Sequence, residues 1–261
     1  MRKWRPTHKC LYVVSEIHGN ADSLSIMLDR ILPLRKFKNQ EDIIVFMGDY
    51  IDVGPSSNKV IDILFNIKSE YPDRTFFLKG NHEEMFLRSI LSDRNDDYID
   101  WVNSIGSETV KSYLNSINLL ENPYSLSKNR LLNIMPSNHI DFLSNLSNVV
   151  NIDNYLFFHG SFNPLKDINE NDINNFIFDY SGSRYVKTLL KRGEKPLQNN
   201  KYIYVGAHNY KSKKPFIYSK YFMLGGGAPK RLFLFELNSM SACSIKSGKN
   251  NIYKYNFNYY E

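Results

Sequence analysis

The chain has 261 residues, of which 42% are hydrophobic and 23% charged, and a formal net charge of +6. That balance excludes a disordered chain and fits a globular protein with one large core or two small ones. No apolar run reaches the roughly 18–20 residues of a membrane-crossing helix, and two cysteines, Cys10 and Cys243, make no disulfide framework.

The basic opening, Met1 to Pro6, runs at once into a strand expected from Cys10. That leaves no room for the apolar core of a signal peptide, so a cytoplasmic location is the default and no membrane partner is expected. The positive charge serves solubility, and equally the attraction of an anionic substrate such as a phosphate ester. Lys and Arg are scattered rather than striped. The local cluster Lys211, Lys213 and Lys214 reads as a solvated loop, and nucleic acid is not an expected partner.

In chain order, Leu11–Ser15 is a short β-branched run. Asn20 is a candidate cap for a helix whose apolar positions Leu24, Met27, Leu28 and Ile31 follow one-sided helical spacing. Ile43–Met47 is a continuous apolar strand of the kind buried on both faces. Ser56 or Ser57 caps a second helix with Val60, Ile63, Leu64 and Ile67 on one face, Thr75–Leu78 forms the third strand, and a helix follows through Met85, Phe86 and Ile90. The stretch 93–150 reads as helical and polar, a cap-like insertion over one side of a site, with His139 in its last helix. Strands return at Tyr155–Phe158, Tyr202–Val205, Tyr221–Leu224, Leu232–Leu237 and Ala242–Ile245. The alternating first half implies βαβ units, and the strand-rich last sixty residues imply a second, more antiparallel sheet. The expected fold is a single α/β domain over 1–261: a two-sheet β-sandwich flanked by helices, with a small helical cap.

Five of these strands end in polar, metal-capable residues. They are Glu16, His18 and Asn20; Asp49 and Asp52; Asn81, His82 and Glu83; His159; and His208 with Asn209. In open α/β sheets the ligand crevice lies outside the carboxyl ends of the strands, so the five segments are expected to converge. A lone loop histidine is ordinarily a satisfied polar residue. Four at equivalent positions, His18, His82, His159 and His208, point to a site, while His8 reads as surface. Carboxylate, imidazole and amide donors suit Mn, Fe, Zn or Mg rather than a thiolate-seeking metal. Asp49 is the carboxylate best placed to bridge two ions, and a pair of ions can clamp a phosphate and hold a hydroxide nucleophile.

The segments Ser15-Glu16-Ile17-His18-Gly19, Gly48-Asp49-Tyr50-Ile51-Asp52-Val53-Gly54, Gly80-Asn81-His82-Glu83, His159-Gly160-Ser161 and Gly206-Ala207-His208-Asn209 resemble, in order and spacing, the motifs of the calcineurin-like metallophosphoesterases. Within that family they are similar to the phosphoprotein phosphatase branch, including bacterial λ-type protein phosphatases and diadenosine tetraphosphatases. The resemblance covers about residues 10–240. It implies two divalent ions, manganese foremost, with iron, zinc or magnesium as alternatives. Glu16, His18 and Asp49 would hold the first ion, and Asp49, Asn81, His159 and His208 the second. It also implies His82 as general acid, oriented by Asp52, and Asn81, His82 and Arg184 as contacts to the substrate, a phosphorylated small molecule or phosphoprotein.

Four departures from the family pattern are visible in the sequence. Glu16 stands where the family has aspartate, and Val53 where it has a phosphate-gripping arginine. Ala207 is inserted before His208, which Asn209 follows. Gly225-Gly226-Gly227 replaces a D-T-G segment, leaving Arg184 or Tyr180 as the nearest stand-in for a second arginine. The expected reaction is hydrolysis of a phosphomonoester. Hydrolysis of nucleotide or diadenosine polyphosphates is one alternative, and a weakened, phosphate-binding pseudophosphatase is another.

Overall fold

The computed structural model describes residues 10–31, 42–163, 170, 172–179, 182–193, 202–207, 216–218, 220–224, 231–246, 248–249 and 251–256. Two sheets carry the fold. In the first, strands β1 (Leu11–Val14), β2 (Ile43–Phe46) and β3 (Thr75–Phe77) run parallel. Strands β9 (Arg231–Glu236), β10 (Ser241–Lys246) and β11 (Ile252–Asn256) extend the same sheet antiparallel from the free side of β1, giving the order β11-β10-β9-β1-β2-β3. The second sheet has the order β4-β5-β6-β8-β7, built from β4 (Val149–Ile152), β5 (Tyr155–Phe158), β6 (Ile203–Gly206), β7 (Phe216–Tyr218) and β8 (Tyr221–Met223). Its three central strands are parallel.

This distribution corrects one expectation. The last sixty residues do not make a sheet of their own. β7 and β8 join β5 and β6, whereas β9, β10 and β11 return to the N-terminal strand. The junction is tight at the site end: Ser15 donates its N–H to the Phe233 carbonyl, and its hydroxyl accepts the Phe233 N–H, both at 3.0 Å. Strand β4 also closes the stretch expected to be helical.

Side chains alternate between two interiors. Leu11 and Val13 of β1, Ile43 and Val45 of β2, and Tyr155 and Phe157 of β5 meet between the sheets. Val14, Ile44 and Phe46 point the other way into the helical layer. Burial on both faces explains why β2 reads as an unbroken apolar run. That helical layer begins with α1 (Ala21–Ile26), which passes directly into a π-helical turn over Met27–Ile31, and continues with α2 (Ser57–Glu70) and α3 (Asn81–Leu91). Asn20 caps α1 by accepting the Ser23 N–H at 3.4 Å, and Ser56 is the N-cap residue of α2.

The stretch 95–144 contains α4 (Asn95–Trp101), a π-helical turn (Val102–Gly106), α5 (Ser107–Ser116), α6 (Lys128–Ile134) and α7 (Ser137–Ser144). These helices share one apolar cluster with the first sheet, through Trp101, Val110, Tyr113, Leu131 and Phe142. Helices α8 (Ile173–Phe178) and α9 (Gly182–Lys191) complete the described helices. Phe176 and Val186 cover the outer face of the second sheet. No helix among the described residues is long and apolar enough to cross a membrane.

Candidate metal centre

The carboxyl ends of β1, β2, β3 and β5 bring together the side chains that the motifs single out. Glu16, His18, Asp49, Asn81 and His159 are all buried. His18 Nε2 lies 3.5 Å from Asp49 Oδ2 and 3.9 Å from Glu16 Oε2. On the other side, His159 Nε2 lies 3.3 Å from Asp49 Oδ1 and 3.1 Å from Asn81 Oδ1. Two groups of donor atoms, His18–Asp49–His82 and Glu16–Asp49–His159, each fit within 4.8 Å, and Asp49 belongs to both. Arg184 lies exposed on α9. His8, Tyr180, His208, Asn209, Lys211 to Lys214 and Gly225 to Gly227 lie outside the described residues.

Backbone shape sets this geometry. His18, Asp49, Asp52 and Val53 all have left-handed φ values, of 45°, 54°, 65° and 63°. Such values are uncommon outside glycine, and for a β-branched residue such as Val53 they are a genuine outlier. Gly48, at φ 92°, could not be replaced: a Cβ there would lie 2.6 Å from the Gly80 nitrogen and 2.8 Å from His159 Nδ1. Turns this sharp must be held from outside.

Glu83 holds them, a role the sequence reading did not assign. Its fully buried carboxylate accepts the N–H groups of Gly80 (2.9 Å), Asp49 (2.8 Å), Tyr50 (2.7 Å) and Ile51 (3.2 Å). One side chain on α3 therefore fixes both the loop after β2 and the entry to its own helix.

The imidazoles are oriented for ligation. His18 Nδ1 faces the Ile51 carbonyl at 3.2 Å and His159 Nδ1 the Met47 carbonyl at 2.6 Å. A carbonyl only accepts, so each Nδ1 carries the proton and each neutral ring presents the Nε2 lone pair to the crevice. Without metal, the Nε2–H of protonated His159 points to Asp49 Oδ1 and Asn81 Oδ1; once that proton leaves, the lone pair joins those two acceptors around one space. Several acceptors converging in a buried space match the surroundings of a cation. The charges agree: burial, reinforced by Asp49, pushes Glu16 up to about 7. Burial also opposes ionisation of Asp49, but His159, His82 and His18 outweigh it and hold that carboxyl well below its usual range. For His159 burial works against the imidazolium, yet Asp49 and Glu16 raise it to about 9. Burial lowers His18. Two adjacent buried carboxylates and three imidazoles, without a thiolate, fit a hard or borderline divalent metal.

His82 differs from the other two rings. Its Nδ1 lies 2.9 Å from Asp52 Oδ2, its Nε2 lies 3.9 Å from Asp49 Oδ2, and its ring meets that of His18 edge to face at 4.6 Å. Burial disfavours its charged form, but Asp49, Asp52 and Glu83 raise it to about 9. Val53 follows Asp52 directly and is 44% exposed beside these buried groups.

Comparison with known proteins agrees with this arrangement. Part of the chain is similar to a serine/threonine-protein phosphatase of Candida albicans, 29% identical over 42% of this chain and 33% of that protein. Another match is a symmetrical bis(5'-nucleosyl)-tetraphosphatase of Buchnera aphidicola, 28% identical over 34% of this chain and 31% of that one. The chain thus spans about a third of the length of these relatives. In structure it resembles a serine/threonine phosphatase of Saccharomyces cerevisiae, with a TM-score of 0.54 at 16% identity, over 98% of this chain and 82% of that one, which is a likeness of fold. The profile of the calcineurin-like phosphoesterases matches residues 11–238, a span that holds the second sheet, four strands of the first and the buried carboxylate–imidazole cluster, and the chain belongs to that family.

Proposed function

We propose that the chain is a metal-dependent phosphatase that hydrolyses a phosphomonoester. The observation that carries this reading is the place of Asp49 in two donor groups at once. Asp49, Glu16, His18, Asn81 and His159 would hold two divalent ions, with His208 completing the second set and manganese the first choice. When bound, the ions neutralise the charge of the phosphoryl group and supply a nucleophile from water at neutral pH.

The chain's own residues do the rest. Asp52 accepts the Nδ1 proton of His82, which turns Nε2 toward the crevice. In its protonated form His82 gives the Nε2 proton to the leaving oxygen as the ester bond breaks. Val53 supplies an apolar rim instead of a cation, which suits a phosphate attached to an apolar or sugar group. The matched tetraphosphatase supports a second reading, cleavage of a dinucleotide polyphosphate, and product analysis separates the two. The two free thiols, Cys10 and Cys243, suit a cytoplasmic setting.

The test is manganese-stimulated release of phosphate from a simple alkyl phosphate, whose leaving oxygen needs a proton. His82→Asn is expected to lower kcat by about 100-fold or more, and Asp49→Asn to abolish manganese stimulation. Wild-type rates in both variants would overturn the assignment.

A further inference from the structure

The helical stretch 95–144 reaches the site at the carboxylate of Asp52. Asp52 is fully buried, and a buried carboxylate needs every lone pair occupied. Its Oδ2 receives His82 Nδ1–H at 2.9 Å, and Trp101 Nε1–H at 3.4 Å, a long contact. Its Oδ1 receives the Thr109 hydroxyl at 2.6 Å.

The backbone of the same residue is held as well. The Asp52 N–H points to Thr109 Oγ1 at 2.8 Å and to Ser57 Oγ at 3.2 Å. A hydroxyl has a single proton. Thr109 gives its proton to Asp52 Oδ1, so in the 3.0 Å contact between Ser57 and Thr109 the serine is the donor. Thr109 thus both donates to and accepts from Asp52, a residue kept at a φ of 65°. Ser57, Thr109 and Trp101 are all buried.

The local backbone explains how two residues eight positions apart serve one carboxylate. In a regular α-helix they would lie about 12 Å apart along the axis and face about 80° away from each other. Between them here is the π-helical turn Val102–Gly106, whose wider winding changes the register of α5 relative to α4. Gly106 lets the turn close, because a Cβ there would run into the Trp101 indole.

We propose that Thr109, assisted by Trp101, is a positioning residue for the proton donor: it fixes Asp52, which fixes His82. This rests on the phosphatase reading above, and it makes the stretch 95–116 part of the catalytic apparatus rather than packing alone. Other members of the chain's donor set are untouched by it.

The experiment compares two esters of opposite demand. A nitrophenyl phosphate leaves with little help from an acid, whereas a simple alkyl phosphate needs the proton. Thr109→Val keeps the shape and removes the hydroxyl. It is expected to lower kcat on the alkyl ester about tenfold more than on the nitrophenyl ester. Thr109→Ser should restore the ratio, Trp101→Phe should shift it less and in the same direction, and in the His82→Asn background Thr109→Val should have no further effect on it. Equal losses on both esters, or an unchanged ratio, would overturn the proposal.

A second readout needs no turnover. With 15N-labelled histidine, the Nδ1 proton of His82 is identified by its loss in His82→Asn. In Thr109→Val it should move upfield and exchange about tenfold faster with water, and in Thr109→Ser it should not. An unchanged resonance in Thr109→Val sinks the positioning role even if the enzyme is active. Absence of phosphate release from the wild type, with the resonance responding as described, sinks the phosphatase reading alone. If Thr109→Val does not fold, Trp101→Phe carries both measurements.

Discussion

Glu83 does for the loop after β2 what a ligand shell does for an ion: it gathers four N–H groups onto one carboxylate in the dry interior. Glutamine in its place has one acceptor oxygen and turns an amino group toward those donors. Glu83→Gln is therefore expected to cost about 3 kcal/mol, seen by calorimetry on metal-free protein as a Tm lower by roughly 10 °C. An unchanged Tm would mean that water replaces the lost acceptor. The contrast with Asp49 shows what a sequence can and cannot reveal about single residues. Asp49, His18 and His159 were legible because each follows an apolar strand, and strand ends place polar side chains in a crevice. Glu83, Thr109 and Trp101 act through partners dozens of positions away. Nothing in the local spacing separates a buried acceptor from a solvated one.

Helices and strands show the same division. Two helices and two central strands were readable, because α2 and α3 repeat their apolar residues at helical spacing and β2 and β5, buried on both faces, are continuous apolar runs. The strands β4, β7 and β11 were not; each is three to five residues long and lies at the edge of a sheet, where one neighbour suffices and the hydrophobic pattern weakens. The packing of α7 was also hidden. His139 on that helix is buried, with Nδ1 at 2.9 Å from the Tyr113 hydroxyl of α5 and Nε2 at 2.9 Å from Asp62 of α2. One ring thereby ties three helices. His139→Leu should cost about 2 kcal/mol in urea unfolding, mainly by stranding the buried Tyr113 hydroxyl. Adding Tyr113→Phe should recover part of the loss, because both changes act on the same contact. Strict additivity of the two would show that the helices are held by apolar packing alone.

For the molecule as a whole, the crowded site predicts a pH response opposite to ordinary acid denaturation. Glu16 and Glu83 are raised to about 7, chiefly by burial, and His82 and His159 to about 9, where burial is outweighed by the carboxylates around them. A group whose pKa is raised on folding holds its proton more tightly in the folded state. Its contribution is full below the unfolded value and is lost as pH climbs to the folded one. The glutamates lose theirs from about pH 4.5 to 7 and the histidines from about 6.5 to 9. Asp49, held low, works the other way and loses its contribution only in acid. Metal-free protein should accordingly weaken as pH rises from about 7 to 9, while His18, held low by burial, works against the glutamates below its ordinary value of 6.5. Metal ions compete for the same lone pairs, so loading at pH 7 should expel about one proton or more per chain. Calorimetric titration with manganese in two buffers of different ionisation enthalpy measures this, and a heat independent of buffer would contradict it.

The pairing of Ser15 with Phe233 has a further consequence, for the order of events during synthesis. The segments bearing Glu16, His18, Asp49, Asn81 and His82 leave the ribosome first, yet β1 has no neighbour on its open side until β9 has been made. At roughly 5–20 residues per second, the wait between residue 82 and residue 231 is on the order of ten seconds. Throughout it the nascent chain carries carboxylates and imidazoles without the crevice that orients them. Capture of the proposed ions would then follow synthesis of β9, the strand that covers the open side of β1.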